Sequence, residues 1–320
     1  MSKISVVIPC YNEEENVEAI AAAVREEFEE FLPEYDYEII FIDNDSKDRT
    51  RDLIRLMAEK DEHVKAIFNA KNFGQFKSPY YGLLQMTGDA GILLAADFQD
   101  PVEMIHRFVE GWEEGYKIVI GRKTKSDESK FVYFLRSIYY KMIRKYSDVE
   151  QIEHYTGFGL YDRAFVEVLK KLDDPTPFLR GIVAELGFHR KEIEYRQPKR
   201  RAGKTSNNWY RLYDGAMLSF TSYTKVGLRI ATFIGFFGAI VSFIIAVVYL
   251  VLKLVNWYGF DAGIAPLIIL VAVLGSMQLF FIGLIGEYIL SMNQRIMKRP
   301  LVVEEERIGK WEDENEDSAR

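Results

Sequence analysis

Two long apolar runs constrain this chain more than any other feature. Thr232–Leu252 holds no charged residue, and Ile264–Leu290 is interrupted only by Glu287 near its end. Each is about 20 residues or more, enough to cross ~30 Å of hydrocarbon as a helix. Lys253–Gly263 is a short connection, so the runs form a hairpin whose ends share one side. Lys225 and Arg229 precede the first run, Arg295, Lys298 and Arg299 follow the second, and the link holds only Lys253 and Asp261. Cytoplasmic flanks carry the excess of Lys and Arg. The pattern predicts an inner (plasma) membrane protein with two spans within 228–292, and with the N-terminal part and both termini cytoplasmic. The competing reading is a pair of very apolar core helices.

Before the hairpin, strand and helix signals alternate. Ile4–Ile8 is a buried-strand run with no basic-then-apolar leader ahead of it, and Asn12 is placed to cap an acidic first turn (Glu13, Glu14, Glu15) of a helix to about Phe31. Tyr37–Ile42, Val64–Phe68, Ile92–Ala96 and Lys117–Ile120 read as further strands. Helices are expected over Asp48–Lys60, from Gly74 to about Met86, and over Pro101–Glu114. This alternation predicts an α/β fold, a mostly parallel sheet with helices on both faces, whose binding residues come from loops after the strands.

The pattern then changes. Ser129–Tyr146 is amphipathic, Thr156-Gly157-Phe158-Gly159 reads as a turn, Arg163–Lys171 and Arg180–Phe188 as helices, and Ile193–Arg196 as an edge strand. Lys199-Arg200-Arg201-Ala202-Gly203-Lys204 is the densest basic cluster. Trp209, Leu212, Tyr213, Ala216, Met217, Phe220 and Tyr223 follow at helical spacing, which suits an interfacial amphipathic helix over 205–227 or a helix packed on the soluble part. Residues 293–320 read as a cytoplasmic tail, and from Glu304 onward it is acidic and poor in apolar side chains, so this stretch reads as solvated and disordered.

The net charge of −7 argues against nucleic acid as partner. Cys10, the only cysteine, excludes an intrachain disulfide and suits a reducing compartment; with four histidines it makes no zinc site.

The richest chemistry lies in Leu93-Leu94-Ala95-Ala96-Asp97-Phe98-Gln99-Asp100-Pro101, where a buried strand ends in two carboxylates and an amide. At the carboxyl end of a central strand, these oxygens suit a hard divalent cation carrying a diphosphate. A strand-to-helix turn with an Asp cap is the plainer alternative. Asp43 and Asp45 end the second strand, where a carboxylate can take a base N–H or ribose hydroxyl, or simply close an Asx turn. There is no Walker pattern and no Gly-x-Gly-x-x-Gly, so phosphates must be held by a metal or basic side chains.

Val7-Ile8-Pro9-Cys10-Tyr11-Asn12-Glu13-Glu14, the Asp43 strand end, Asn72-Phe73-Gly74, Asp97-Phe98-Gln99-Asp100-Pro101 and Gly121-Arg122 together resemble family 2 glycosyltransferases. Arg201-Ala202-Gly203-Lys204, the hairpin, and Gly286-Glu287-Tyr288 followed by Lys298-Arg299-Pro300-Leu301 resemble their polyprenyl-phosphate branch, which includes dolichol-phosphate mannose synthase and bacterial undecaprenyl-phosphate sugar transferases. The resemblance implies a GT-A-like cytoplasmic domain over 1–204, with a nucleotide-sugar half to about 122 and an acceptor half over 123–204. It implies nucleotide binding by Pro9, Tyr11, Glu13 and Asp43, and Mg²⁺ or Mn²⁺ on Asp97 and Gln99. Arg122 and Arg136 would take the acceptor phosphate, with Lys204 on its basic rim, and Asp97, Arg122 and Arg136 would form the catalytic set.

The implied reaction moves a hexose or N-acetylhexosamine from a nucleotide sugar, UDP-linked on this resemblance, to a polyprenyl phosphate in the lipid. A lipid monophosphate is already ionised at neutral pH, so attack with inversion needs no strong base. Transfer to a glycerolipid, or a nucleotide-sugar-binding membrane protein with weakened catalysis, are the alternatives; a homo-oligomer stays open. Processive synthases carry Gln-x-x-Arg-Trp, absent here. Three departures stand out: Ala95 where the family usually has Asp, Asp43-Asn44-Asp45-Ser46 for Asp-Asp-Gly-Ser, and Gly159 where a basic residue is frequent.

Overall fold

The computed structural model describes residues 1–124, 152–198, 200–202, six positions between 215 and 222, 226–255 and 264–311. The expected amphipathic helix over Ser129–Tyr146 lies outside the described residues, as do Arg136, Lys199 and Lys204.

The N-terminal unit is an α/β sheet. Its elements are β1 (Lys3–Cys10), α1 (Val17–Phe31), β2 (Asp36–Asp43), α2 (Thr50–Lys60), β3 (Val64–Asn69), α3 (Gly74–Leu84), β4 (Ala90–Leu93), α4 (Met104–Glu113) and β5 (Ile118–Lys123). Then come β6 (Tyr155–Asp162), α5 (Arg163–Leu172), α6 (Leu179–Glu185) and β7 (Arg190–Tyr195). A final strand, β8 (Glu304–Ile308), comes from beyond the apolar helices. The eight strands run β7-β5-β6-β4-β1-β2-β3-β8. Pairings β1–β2, β2–β3, β1–β4 and β5–β7 are parallel. Those of β4–β6, β5–β6 and β3–β8 are antiparallel.

Side chains alternate across each strand, so the central strands feed two apolar layers. Val6, Ile8, Ile39 and Phe41 pack with Ile20, Phe28, Ile54, Ile105 and Phe108 of α1, α2 and α4. Val7, Ile40 and Ile42 pack with Tyr80, Leu83, Phe165 and Leu169 of α3 and α5. Burial on both faces is why these strands read as continuous Ile/Val runs.

Four local expectations are corrected. Asn12 does not cap α1: it takes a left-handed conformation (φ 56°), its Oδ1 accepts Lys47 N–H at 2.8 Å, and the helix starts at Val17. Strand β4 ends at Leu93, although Leu94 N–H still donates to Val7 O at 3.0 Å. Thr156–Gly159 is not a turn but half of β6, where a Cβ on Gly159 would stand 2.5 Å from the Val119 carbonyl oxygen. No side chain fits that approach without a backbone shift, which accounts for the missing basic residue.

The fourth correction is the acidic tail. Glu304–Ile308 pairs with β3 and covers the sheet edge, so this stretch is ordered structure. Each glutamate has a cationic or hydroxyl partner: Tyr81 Oη donates to Glu304 at 2.7 Å, Arg51 to Glu305 at 2.7 Å, and Arg55 to Glu306 at 2.6 Å. Negative charge that looks solvated along the chain is neutralised across space. Trp311 adds an apolar anchor, with the Arg307 guanidinium 4.5 Å from its ring.

The second unit contains α7 (Val226–Val255) and α8 (Ile264–Ile296). Within α8, Val273–Ile296 is long and apolar enough to cross a membrane, at a mean hydropathy of 1.7. Large apolar side chains on both helices face outward: Phe233, Phe243, Leu279 and Phe280 are each more than 60% exposed. Such surface is tolerated only against lipid or another apolar partner. The described positions of the preceding segment are helical, with Thr221 Oγ1 donating to Met217 O at 2.9 Å and the Phe220 ring edge-on to Tyr288 of α8.

Candidate functional site at the carboxyl edge of the sheet

Strands β4, β1 and β2 are neighbours and parallel, so their carboxyl ends open on the same edge. Asp43 is the last residue of β2, and Glu13 and Asp97 follow the ends of β1 and β4. This is the edge where open α/β sheets take ligands.

The loops after β1 and β2 are laced together by side chain to backbone bonds. Asn12 N–H donates to Ser46 Oγ (2.8 Å) and Glu13 N–H to Thr50 Oγ1 (2.9 Å). Asp43 is 0% exposed; it accepts the Ser46 N–H at 3.1 Å and Arg51 Nε at 2.5 Å. Asp45, which follows at φ 70°, keeps its carboxylate partly open. Pro9 and Tyr11 flank the end of β1 and are half-buried.

Asn44, one of the departures, organises a third loop. Its Oδ1 accepts Phe73 N–H at 2.8 Å, and its Nδ2 donates to Asn72 Oδ1 at 3.0 Å. Asn72 Oδ1 also accepts Gly74 N–H (2.9 Å), closing a turn that places Gly74 at φ +91°. The Asn72-Phe73-Gly74 motif is thus a loop lock, with glycine at the position its φ requires.

Asp97 is 7% exposed. Its Oδ1 accepts Gln99 N–H at 3.0 Å, and its Oδ2 meets the Arg200 guanidinium at 2.7 Å. Arg200 also lies 3.9 Å from Glu13 Oε1. The basic segment is therefore folded onto the site: Arg201 N–H donates to Asp97 O at 3.3 Å, and the Arg201 guanidinium covers the Phe98 ring at 5.1 Å. Burial pushes the Glu13 carboxyl up, opposed by the hydrogen bond from Asn16. Asp100 lies behind, its Oδ1 accepting Tyr195 Oη at 3.0 Å and its Oδ2 the Ala95 N–H at 3.4 Å; burial pushes its carboxyl up to about 6.

Among the described residues no three His, Cys, Asp or Glu side chains form a ready metal cage. A hard cation nevertheless fits the donor set: the Asp97 carboxylate, already facing a positive charge, with the Gln99 amide in the same loop. Mg²⁺ is commonly bound by one or two carboxylates, with substrate phosphates and water completing the shell.

The structure brings Glu13 and Asp97 together and laces the Pro9–Glu13 loop to the Asp43 loop. It does not join Arg122 to them: on β5, Arg122 is ion-paired to Glu194 and lies 3.7 Å from Glu192, both on β7. Sequence reasoning missed Arg51 as the partner of Asp43 and Arg200 as the partner of Asp97. The clue for Arg200 lay in the basic cluster; for Arg51, in a helix of mixed charge, there was none.

Residues 5–169 match the family model described as glycosyl transferase family 2, and the chain belongs to that family. Full-length relatives agree. A bactoprenol glucosyl transferase of Shigella phage SfX is 33% identical over 93% of this chain and 97% of its own. A prophage bactoprenol glucosyl transferase homolog of Escherichia coli K12 is 34% identical over the same shares. The putative glycosyltransferase CsbB of Bacillus subtilis is 33% identical over 93% of this chain and 89% of its own. Among solved structures, glucosyl-3-phosphoglycerate synthase from Mycobacterium tuberculosis, in complex with Mn²⁺ and UDP-glucose, superposes with a TM-score of 0.45 at 15% identity over 69% of this chain and 78% of that one.

Proposed function

We propose that the protein is an inverting glycosyltransferase that moves a hexose, glucose first among the candidates, from a UDP-sugar to a polyprenyl phosphate such as undecaprenyl phosphate. The observation that carries this reading is identity of about one third with bactoprenol glucosyl transferases across 93% of the chain, apolar helices included. Pro9, Tyr11, Glu13 and the loop ordered by Asp43 hold the nucleotide.

Asp97 and Gln99 would hold Mg²⁺ or Mn²⁺, which supplies neutralisation of the leaving diphosphate. Arg200 would exchange Asp97 for a phosphate oxygen when donor enters, since a guanidinium pairs equally well with either. The acceptor monophosphate, ionised at neutral pH, attacks the anomeric carbon from the face opposite the diphosphate. Arg122, Arg136 and Lys204 position it, so the chain's contribution is charge and alignment.

The sheet also supports the two-span topology. Strands β3 and β8 pair in one sheet, yet α7 and α8 lie between them in sequence. A chain that crosses a membrane at Val273–Ile296 and returns to the same sheet must cross an even number of times, and α7 is the other apolar helix available. With basic flanks on the sheet side, the catalytic domain and both termini are cytoplasmic at the inner membrane.

The test is incubation of purified protein and Mn²⁺ with radiolabelled UDP-glucose, UDP-GlcNAc or GDP-mannose and undecaprenyl phosphate. Label from UDP-glucose should enter the organic phase as a lipid-linked monophosphate sugar. Label in a glycosylated diacylglycerol would replace the acceptor. No transfer from any donor, with nucleotide binding intact, would leave a binding protein weakened by Ala95.

A further inference from the structure

The acidic C-terminal strand does more than close the sheet. Arg51, on the first turn of α2, reaches three acceptors on three strands' ends: Asp43 Oδ1 at the end of β2 (2.5 Å), Asn69 O at the end of β3 (2.6 Å) and Glu305 Oε2 of β8 (2.7 Å). Asp43 is fully buried and in turn accepts Ser46 N–H, and Ser46 Oγ accepts Asn12 N–H from the loop after β1. A continuous hydrogen-bonded line therefore runs from Glu305 through Arg51 and Asp43 to the Asn12–Glu13 loop. A planar guanidinium holds all three acceptors at fixed angles, which an ammonium on a flexible stem cannot do.

We propose that β8 is part of the donor site: Glu305, acting through Arg51, positions Asp43 and its loop and so sets nucleotide affinity. Arg51 and Glu305 are positioning residues, and the inference rests on the reading of the Asp43 edge as the nucleotide site. The strand supplying Glu305 follows the apolar helix α8 directly in the chain, so the membrane-proximal segment contributes to the donor site by sequence continuity.

The same strand supplies a matched control. Glu306 pairs with Arg55, also on α2, at 2.6 Å, a pair that has no hydrogen bond or ion pair to Asp43 among the described residues. The full chain in detergent micelles is compared as wild type, Glu305→Ala, Glu306→Ala and Arg51→Lys. Two quantities are read: hydrogen–deuterium exchange over residues 43–50, and the Kd for UDP together with kcat and KM for UDP-glucose.

Glu305 is 57% exposed, so its pair is of the modest surface kind. Glu305→Ala should speed exchange over 43–50 and raise the UDP Kd and donor KM about three-fold, with kcat within about two-fold. Arg51→Lys should raise both about ten-fold, because the fork is lost while the charge stays. Glu306→Ala should change neither. Equal exchange or equal Kd in the two glutamate variants would overturn the proposal and leave β8 as an edge cover. If wild type binds no UDP, the donor-site reading fails, whereas the exchange contrast still decides whether Glu305 orders the Asp43 loop.

Discussion

Asp43 and Asp97 end two strands of the same sheet, and each carboxylate is met by one arginine, yet the two pairs are built differently. Arg51 comes from a helix packed on the sheet and is itself only 16% exposed, with acceptors on β2, β3 and β8. Arg200 comes from a loop beyond β7 and reaches Asp97 and Glu13 across the open edge. The first pair is largely buried and ties three strands together. The second lies at the open edge, and on the proposed reading its guanidinium stands where the donor's cation would stand.

A third pair sets the scale for the fixed kind. Glu38 and Lys65 are both buried, 2.5 Å apart, with Ser5 and Thr87 completing the carboxylate's shell. Lys65→Met removes the nearer of the two cations on Glu38, leaving Lys3 at 3.5 Å and the Ser5 and Thr87 donors, and should lower stability by about 3 kcal/mol in a thermal or urea melt. Burial opposes ionisation of Glu38, but the hydrogen bonds from Lys65, Ser5 and Thr87 outweigh it and hold the carboxyl below its ordinary value. Its contribution is therefore fully present above the unfolded carboxylate range, about 4.3, and is lost as pH falls through the lower folded value.

Next in size is Asp97→Ala. If this carboxylate serves the diphosphate, turnover should fall about 100-fold or more, with melting temperature little changed. Near-normal transfer by that variant would remove Asp97 from the chemistry and make its pair with Arg200 structural after all. Arg51→Ala should behave like a smaller Lys65→Met: about 2 kcal/mol of stability lost, because Asp43 keeps Ser46 N–H but loses its counter-charge. The smallest effect separates the pairs most cleanly. Arg200→Ala should alter stability by about 1 kcal/mol, since the arginine is partly exposed and Asp97 keeps the Gln99 N–H, and should tighten Mn²⁺ binding measured by calorimetry without nucleotide. Stability losses of equal size in Arg51→Ala and Arg200→Ala would erase the distinction.

The proposed metal site would draw on few protein ligands. Ala95 has no side-chain ligand to offer, and its backbone N–H donates to Asp100, so the loop's carboxylate at the edge is Asp97. Asp100 is turned inward toward Tyr195. The second carboxylate within reach of Arg200 is Glu13, from a different strand end, which the motif containing Ala95 could not reveal.

What the residues determined by themselves was periodic or compositional. Apolar runs rich in Ile and Val marked β1 to β5 to within a few residues, because burial on both faces demands them, and β7 was legible as a short edge strand. The uncharged stretches marked both apolar helices, and strand order placed Glu13, Asp43 and Asp97 at loop positions. Tertiary structure decided whatever depended on a distant partner. Thr156–Gly159 became strand because β5 pairs on either side of it, at Tyr155 and from Gly159 onward, with β4 joining at Gly159, and Gly159 is demanded by the Val119 carbonyl. Glu304–Glu306 became strand because Tyr81, Arg51 and Arg55 neutralise it and β3 had an open edge. Local composition reports the charge a segment carries; only the fold supplies the charge it meets.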